Sequence, residues 1–191
     1  MAWDINLSGC KSGSGVVFSH LGNWLNQTFG KKTGKELLPL MKDFYLLSHI
    51  RKPEFMGNTR TYDKRHEQIA DLPWSTEEIN ERLEQFKKLS DRVEKLYATV
   101  PSNRKDAYFE MIQYPVQASN EMNKKMLYAQ FARHTPSDSA SLWKKSDAAY
   151  DSIVSLTRRF NSLLDGKWNH IISTAPRGLI VFDKVKRTAS S

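Results

Sequence analysis

The stretch that decides the fold is STEEINERLEQFKKLSDRVEKLYATVP, residues 75–101. Its first four residues have the pattern of a capping box, in which a serine hydroxyl and a glutamate carboxylate each accept a backbone N–H at a helix start. Apolar residues then repeat at steps of three and four, the period of one buried helix face. They are Ile79, Leu83, Phe86, Leu89 (or Ser90), Val93, Leu96 and Val100. Pro101 ends the pattern, so the stretch predicts one long amphipathic helix.

Two further helices are predicted upstream of this stretch. Residues 19–30 begin with Ser19, an N-cap candidate, and end at Gly30, which suits the C′ position after a helix. The sequence TGKE (33–36) has the pattern of a second capping box, at the start of a helix that contains Pro39. If that helix starts near its glutamate, the missing N–H of Pro39 costs little.

Two more helices are predicted downstream. Ser102 is expected to cap a helix over about residues 103–133, in which Pro115 removes one backbone hydrogen bond and predicts a kink near Ile112. Residues 134–139 form a turn whose serines, Ser137 or Ser139, can cap the last long helix. That helix is expected to end at Asp165, with Gly166 as its C′ residue.

Together these segments predict an all-α fold, a five-helix bundle with a long loop between helices 2 and 3 and a short non-helical C-terminal tail. Residues 53–73 form that loop, whose length indicates a functional role or packing along the surface. In the tail, GLIVFD (178–183) predicts a short strand, and residues 184–191 are expected to be frayed. Near the other end, the Gly- and Ser-rich residues 8–15 predict a flexible linker.

The bulk composition suits one domain and excludes several classes of partner. The chain has 191 residues, is 39% hydrophobic and carries a net charge of +8. Its basic residues alternate with acidic ones, which is typical of solvated helix faces, so we expect no nucleic-acid partner. No apolar run is long enough to cross a bilayer, and no signal peptide is visible, so no membrane partner is expected. Cys10 is the sole cysteine, which excludes an internal disulfide.

Catalytic and metal-binding motifs are absent from the sequence. The five histidines are scattered, and none has the spacing of a zinc site. Asp63 and His66 lie close together in the long loop, but two ligands are a weak signal for a cation. No phosphate-binding loop or nucleophile elbow is present, and most acidic residues fall on exposed helix faces. From the residues alone we expect no catalytic group, no metal and no cofactor, as in a helical accessory or interaction domain.

The aromatic residues are interpreted mainly as core. Tyr108, Phe109, Met111, Ile112 and Tyr114 form a stripe on one predicted helix, which favours packing. Trp24 and Trp143 lie in the middle of helices and have the same interpretation, and Trp74 is expected to form a hydrophobic staple with Ile79.

The segment KWNH (167–170) is different, because it follows a helix C-terminus. Its Trp168 can pack back on the bundle or line a cleft. In the first interpretation, Asn169 and His170 bind the carbonyls left unpaired at the helix end. In the second, the segment is part of a functional surface. The residues alone favour the first interpretation and leave the second open.

Several rare combinations in this chain resemble the helical domain of glycoside hydrolase family 115, the xylan α-1,2-glucuronidases. The resemblance lies in RKDAYFEMIQYPVQASNEMNKKMLYA (104–129) and LTRRFNSLLDGKWNHII (156–172). The matching residues are Tyr108, Phe109, Tyr114, Pro115, Val116, Asn120, Lys167, Trp168, Asn169 and His170. Upstream, NWLNQTFG (23–30), YLLSHIRKPE (45–54) and MAWD (1–4) are also similar to family segments. After His170 the chain departs from the family pattern, which puts a substrate-side role of that loop in doubt.

The resemblance implies a five-helix domain that follows a TIM-like catalytic barrel. On this basis we expect residues 1–18 to be a barrel-exit remnant and linker, residues 19–175 the helical domain, and residues 176–191 a short strand and frayed tail. The barrel, which supplies the catalytic carboxylates in the family, is absent from the chain. The implied partner is therefore a barrel in cis, with a homodimer as a further option. The implied parent protein is an exported, periplasmic or secreted, glucuronidase.

The resemblance also gives the candidate sites. Candidates for the substrate cleft or the barrel-facing surface are Lys167, Trp168, Asn169 and His170. Candidates for an interface are Arg51, Lys52, Glu54 and Tyr114. The implied function is a helical accessory domain that supports the barrel of an enzyme acting on glucuronoxylan and is inert alone. The alternative is a free-standing protein-interaction bundle that has lost the enzyme.

Overall fold

The computed structural model describes residues 13–57 and 69–187, and the regular structure in these ranges is helical. The main helices are α1 (Gly13–Phe29), α2 (Lys31–Ile50), α3 (Thr76–Tyr97), α4 (Lys105–Tyr108), α5 (Tyr114–His134) and α6 (Ser139–Asn161). A π-helical turn, Phe109–Gln113, joins α4 to α5, so these segments form one rod. The all-α prediction is confirmed, and the five expected long helices are present when this rod is counted once.

Each long helix packs against the next one along the chain. Helix α1 pairs with α2, α2 with α3, α3 with α5, and α5 most extensively with α6. One apolar cluster lies between α1, α2, α3 and the start of the α4–α5 rod, and includes Leu25, Phe29, Phe44, Phe86 and Tyr108. A second lies between α5, α6, the long loop and the C-terminal tail, and includes Met56, Leu72, Met126, Trp143 and Val181. Within the described ranges, no helix is both long and apolar enough to span a membrane.

Helix α3 forms as predicted. The Ser75 hydroxyl accepts the N–H of Glu78 at 3.2 Å, and the Glu78 carboxylate accepts the N–H of Ser75 at 2.7 Å. The predicted apolar positions are all buried, with Leu89 rather than Ser90 at the ambiguous step. The helix itself ends at Tyr97, and Val100 is buried just beyond it. Trp74 and Ile79 belong to the same apolar cluster, and a direct contact between them, the predicted staple, stays a prediction.

Helix α1 begins earlier than the sequence predicted. It starts at Gly13, so Ser19 is not its N-cap and the last part of the predicted linker is helical. Contact with α2 extends to this end of the helix, because the Lys42 ammonium lies 4.5 Å from the centroid of the Phe18 ring. The end of α1 is as predicted, since Gly30 follows it with a φ of 89°.

Helix α2 also begins earlier, at Lys31, and the predicted capping box at 33–36 is wrong. Thr33 is buried, and its hydroxyl oxygen lies 3.0 Å from that of Thr99. Gly34 lies against α1, where a Cβ atom would come within 2.6 Å of the Asn26 backbone nitrogen. These small residues therefore serve helix contact rather than capping. Pro39 consequently lies inside α2, where it removes one backbone hydrogen bond.

The break predicted near Ile112 takes the form of the π-turn. The N–H of Tyr114 bonds to the carbonyl of Phe109, five residues earlier, directly before Pro115. Ile112 and its two aromatic neighbours Tyr108 and Phe109 are fully buried, as predicted. Met111 is 47% exposed, so its assignment to the core is wrong. The wider turn changes the helical phase, and one residue of the apolar stripe then faces solvent.

The region after α5 departs from two predictions. Neither serine caps α6, because Asp138 occupies the N-cap position and the Ser139 hydroxyl donates instead to the carbonyl of Ala132 at 2.8 Å. Helix α6 ends at Asn161, four residues before Asp165, and a tight turn, Leu163–Gly166, follows.

The C-terminal tail is packed, without the predicted strand. Ile180–Phe182 form a 3₁₀ turn rather than a strand, and no strand edge exists in the described ranges for them to pair with. Val181 and Val185 are buried instead in the second apolar cluster. Lys184 and Arg187 pair with Asp147 of α6, so the tail is not frayed up to Arg187. Residues 188–191 lie outside the described residues, as do residues 1–12 of the predicted barrel remnant and linker (1–18).

Candidate functional site

The segment after α6 has an unusual backbone. Leu164, Asp165 and Gly166 adopt φ angles of 51°, 55° and 82°, and His170 adopts 66°. Residues other than glycine rarely adopt this left-handed conformation, and such strain concentrates at functional sites. Asn161 fixes the far side of the segment. Its side-chain amide donates to the carbonyl of Ile172 at 3.0 Å, and its oxygen accepts the N–H of the same residue at 3.4 Å.

This segment and the end of α6 enclose an open groove of about 710 Å³. Most of the residues that line it have polar side chains, and Val154 and Ile172 add apolar surface. Prominent lining residues are Thr157, Arg158, Asn161, Asp165, Asn169 and His170. We call it the α6 groove.

The structure separates the four candidate residues of the KWNH segment into two pairs. Asn169 and His170 line the α6 groove and are exposed. No hydrogen bond involves either side chain within the described ranges, so they do not bind loose carbonyls. Trp168 packs back against Phe109 and its neighbours. The Lys167 ammonium lies 5.0 Å from the centroid of the Trp168 ring.

Trp168 therefore supports the groove segment by packing against the bundle. Phe160 and Leu163 complete the small apolar cluster that it covers. Its indole N–H is buried and has no hydrogen-bond partner within the described ranges. The two interpretations of KWNH are thus divided, since Trp168 packs on the bundle while Asn169 and His170 lie on an open surface.

Tyr114, an interface candidate, lies behind the same groove. Its hydroxyl is 3.4 Å from that of Thr157, a groove residue, and its ring centroid is 4.9 Å from that of Phe160. Burial raises the pKa of Tyr114, although the hydrogen bond with Thr157 opposes the rise. Tyr114 is half-buried within the bundle, so it supports the groove wall rather than an outer surface.

The other interface candidates lie at the start of the long loop. The Arg51 guanidinium donates twice to the carbonyl of Phe55, at 3.0 and 2.7 Å, and so closes the 3₁₀ turn Pro53–Phe55. Lys52 is exposed and Glu54 is half-buried on this turn. Arg51 thus stabilises the start of the long loop and does not line the α6 groove.

Sequence reasoning missed Arg82, which holds the start of the long loop in place. It is buried in α3 and donates to the carbonyls of Leu47 and Arg51 at 3.2 and 3.0 Å, and to the Asn123 side-chain oxygen at 2.6 Å. The two carbonyls belong to the last turn of α2 and its C-cap, where helices lack internal donors. Burial, with a smaller contribution from Arg51, lowers the pKa of Arg82 to about 10. Its position next to Leu83 gave no sequence signal, because arginine is usually exposed.

The groove residues Arg158, Asn161 and Asp165 were also missed. The helical spacing of Arg158 and Asn161 places both on one face near the end of α6, which was the available signal. Among the groove-lining residues, Asp165 is the sole carboxylate. Glycoside hydrolysis by the usual routes needs two carboxyl groups about 5–10 Å apart.

The described residues contain no group of three or more His, Cys, Asp or Glu side chains placed to hold a metal ion. Asp63 and His66, the pair considered from the sequence, lie outside the described residues.

Similarity to known proteins is found among solved structures. No family model matches the chain, and a search of curated proteins finds no match. Among solved structures, the chain is similar to a family GH115 4-O-methyl-α-glucuronidase with specificity for decorated arabinogalactans. The two are 51% identical with a TM-score of 0.86, over 92% of this chain and 23% of that chain. The resemblance to family 115 is therefore confirmed, for a chain that spans less than a quarter of this relative.

Proposed function

We propose that this chain, which is similar to the helical part of a glycoside hydrolase family 115 glucuronidase, is an accessory domain of a longer enzyme. Its role is to support a catalytic barrel in cis and to form one wall of the substrate cleft. The observation that carries the proposal is the similarity over 92% of this chain to a segment that makes up 23% of a glucuronidase. The rest of such an enzyme is the natural source of the barrel that the sequence resemblance implies.

The chemistry of the α6 groove supports a role without catalysis by this chain alone. One carboxylate, Asp165, lines it, so the second carboxyl group needed for hydrolysis has no candidate in the groove. The groove instead offers the amide of Asn169, the imidazole of His170 and the guanidinium of Arg158. These groups hydrogen-bond to sugar hydroxyls or to polar groups of a neighbouring domain.

Exposed apolar residues next to the groove support its assignment as the barrel-facing surface. Leu164 and Ile171 are 49% and 59% exposed on the same short segment. Large apolar side chains that cluster on a surface often mark an interaction site. In the proposal, Leu164 and Ile171 contact the barrel, Asn169 and His170 reach toward the cleft, and Trp168 keeps the segment in place.

The proposed substrate class of the whole enzyme is a polysaccharide decorated with glucuronate or its 4-O-methyl ether. The structural relative is specific for decorated arabinogalactans, whereas the sequence resemblance implied glucuronoxylan. The relative is named as a 4-O-methyl-α-glucuronidase, so a uronate is the group removed in either proposal, and the two proposals differ in the polysaccharide backbone. An assay with both polysaccharides separates the two sources.

The test joins the chain to the barrel portion of the glucuronidase relative and measures uronate release from both polysaccharides. We expect no turnover by the isolated chain and measurable turnover by the fusion. Replacing Asn169 and His170 with alanine in the fusion should raise KM or lower kcat, whereas Lys144→Ala, an exposed change on α6, should not. Enzyme-like turnover by the isolated chain would contradict the proposal that the chain is inactive alone. Unchanged kinetics of the Asn169→Ala, His170→Ala fusion would remove the cleft role.

The alternative function is a free-standing interaction bundle, for which we expect no barrel-docking face. A second exposed apolar surface speaks against it, because Tyr45, Leu46 and Ile50 of α2 are 48%, 50% and 58% exposed. A homodimer would have to cover such a surface, so sedimentation equilibrium of the isolated chain separates the options. A well-folded monomer or dimer, in which Leu46→Glu changes nothing, would favour the free-standing bundle, whereas aggregation of the isolated chain would contradict it.

A further inference from the structure

The C-terminal tail crosses the root of the long loop. We define the tail as residues 179–187 and the neck as Gly57 and Ala70, two described residues of the long loop. The N–H of Ala70 donates to the carbonyl of Gly57 at 2.9 Å, so the neck is closed by one backbone hydrogen bond. Tail and neck belong to distant parts of the sequence, and their contact depends on how the tail is held.

Lys125 of α5 holds the tail. It is completely buried, and its ammonium donates to the carbonyls of Val181 and Asp183 at 2.7 and 2.8 Å. These two carbonyls belong to irregular backbone, which has no ladder of its own to satisfy them. Each bond from a charged donor is stronger than one between neutral groups. Lys125 therefore fixes the tail at two carbonyls, one within the 3₁₀ turn Ile180–Phe182 and one directly after it.

Val181 transmits this fixation to the neck. Its side chain is 2% exposed, and a Cβ atom placed on Gly57 would lie 3.1 Å from Val181 Cγ2. The same hypothetical atom would lie 3.6 Å from Ile69 Cγ1, on the other side of the neck. Gly57 thus leaves room for Val181, and Val181 packs where the two sides of the neck meet.

The next part of the loop has anchors of its own. The Gln130 side chain donates to the carbonyl of Leu72 at 2.9 Å and accepts its N–H at 3.0 Å. Arg133 and His134 pair with Asp71. Burial alone would raise the pKa of Asp71, but the hydrogen bonds and the positive charge of His134 and Arg133 outweigh burial and lower the pKa. These anchors come from α5 and do not involve the tail.

From this arrangement we propose that Lys125 is a positioning residue that holds the tail against the neck. Release of the tail then breaks the hydrogen bond between Ala70 and Gly57 but leaves the bonds between Gln130 and Leu72 intact. Lys125 and Val181 together couple the tail to the neck. This coupling keeps Gly57 and Ala70 at hydrogen-bonding distance from each other. The proposal is independent of the enzyme to which the domain is assigned.

Residue-resolved hydrogen exchange of the whole chain by NMR tests the lock. In Lys125→Met, the amides of Phe182 and Ala70 should exchange about tenfold faster or more, because a buried charged donor has been lost. The Leu72 amide should keep its wild-type rate, since Gln130 holds it. Lys124→Met is the matched control, because that neighbouring lysine is partly exposed and pairs with Glu121. It should leave all three rates unchanged.

Two further variants test the same coupling if Lys125→Met does not fold. Val181→Ala removes the contact with the neck and leaves the carbonyls that bind Lys125, so Ala70 should exchange faster while Leu72 does not. Gln130→Ala should do the reverse. Faster exchange in the tail with an unchanged Ala70 rate in both tail variants would overturn the coupling. Equal acceleration of Ala70 and Leu72 would also overturn it, because the two would then open as one unit.

Discussion

Two buried cations, Arg82 and Lys125, hold two irregular segments of this molecule against the same helical bundle. Arg82 binds the carbonyls of Leu47 and Arg51 at the end of α2, and Lys125 binds two carbonyls of the tail. The oxygens that they bind within the described ranges are uncharged carbonyl or amide oxygens. Each cation therefore replaces the missing backbone donors of a segment that has left regular structure.

The two cations differ in how firmly they keep their charge. The Arg82 guanidinium lies between the rings of Trp74 and Phe86, 5.2 and 4.9 Å from their centroids, and its lowered pKa of about 10 still leaves it protonated at neutral pH. Burial lowers the pKa of Lys125 to about 7, against an opposing effect of Asp183. The α2 end thus has a permanent anchor, whereas the tail has one that titrates.

The largest expected effect is that of Arg82→Met. The change leaves two helix-end carbonyls and the Asn123 oxygen without their donor in a buried site, which should cost about 3 kcal/mol of unfolding free energy. Urea denaturation measures it. Arg92→Met, at an exposed position of the same helix, should stay within about 0.5 kcal/mol of wild type. A loss below about 1 kcal/mol for Arg82→Met would show that water replaces the guanidinium. Arg82 would then not be an anchor of the α2 end.

A smaller loss is expected from Lys125→Met. The methionine fills a similar volume and removes the cost of burying a charge, so about 2 kcal/mol is the expected loss at neutral pH. The same urea experiment, with Lys124→Met as control, gives the value. If the two variants lose the same unfolding free energy, Arg82 and Lys125 contribute equally to stability and the proposed difference between them is wrong.

The smallest expected effect is the pH dependence, which separates the two cations most sharply. The pKa of Lys125 is about 7 in the folded chain and near 10.5 when the chain is unfolded, so between these values the unfolded chain binds more protons. Stability should therefore rise with pH in this window, by about 1 kcal/mol from pH 7 to pH 8, and this group should contribute no slope below it. Stability measured at several pH values from 6 to 9 checks the sign.

The variants provide the contrast for that measurement. Lys125→Met should lose the rise between pH 7 and pH 8, and Arg82→Met should keep it, because Arg82 stays protonated throughout. A rise that survives Lys125→Met would have to come from another group, and Lys125 would not be the titrating anchor.

Neither cation was visible from the sequence, and the reason is physical. The alternation of charges in α3 was interpreted as a solvated face, and for Glu81 and Glu84 this is right. Arg82 departs from the pattern because it donates to two carbonyls at the end of α2, which have no donor within their own helix. Lys125 likewise lies in a helix whose polar residues are interspersed among apolar ones, so periodicity gives no warning.

The candidate site was predicted in part. The KWNH segment was singled out because an unusual set of residues follows a helix end, and Asn169 and His170 do line a groove. The helix end itself was placed four residues too late, because Leu164 and Asp165 look compatible with a helix but adopt left-handed conformations. That choice follows from packing of Trp168 and from the bonds that Asn161 makes to Ile172, both of which are tertiary.

The sequence by itself determined the helical architecture, the capping box and buried face of α3, the break before Pro115 and the likeness to family 115. These are set by local hydrogen bonding, by helical periodicity and by residue identities that need no partner to be recognised. Tertiary structure alone decided where α1 and α2 begin, that the tail packs without forming a strand, and which lysine and arginine are buried. Those outcomes depend on carbonyls and apolar surfaces contributed by distant segments, whose positions exist only once the bundle has formed.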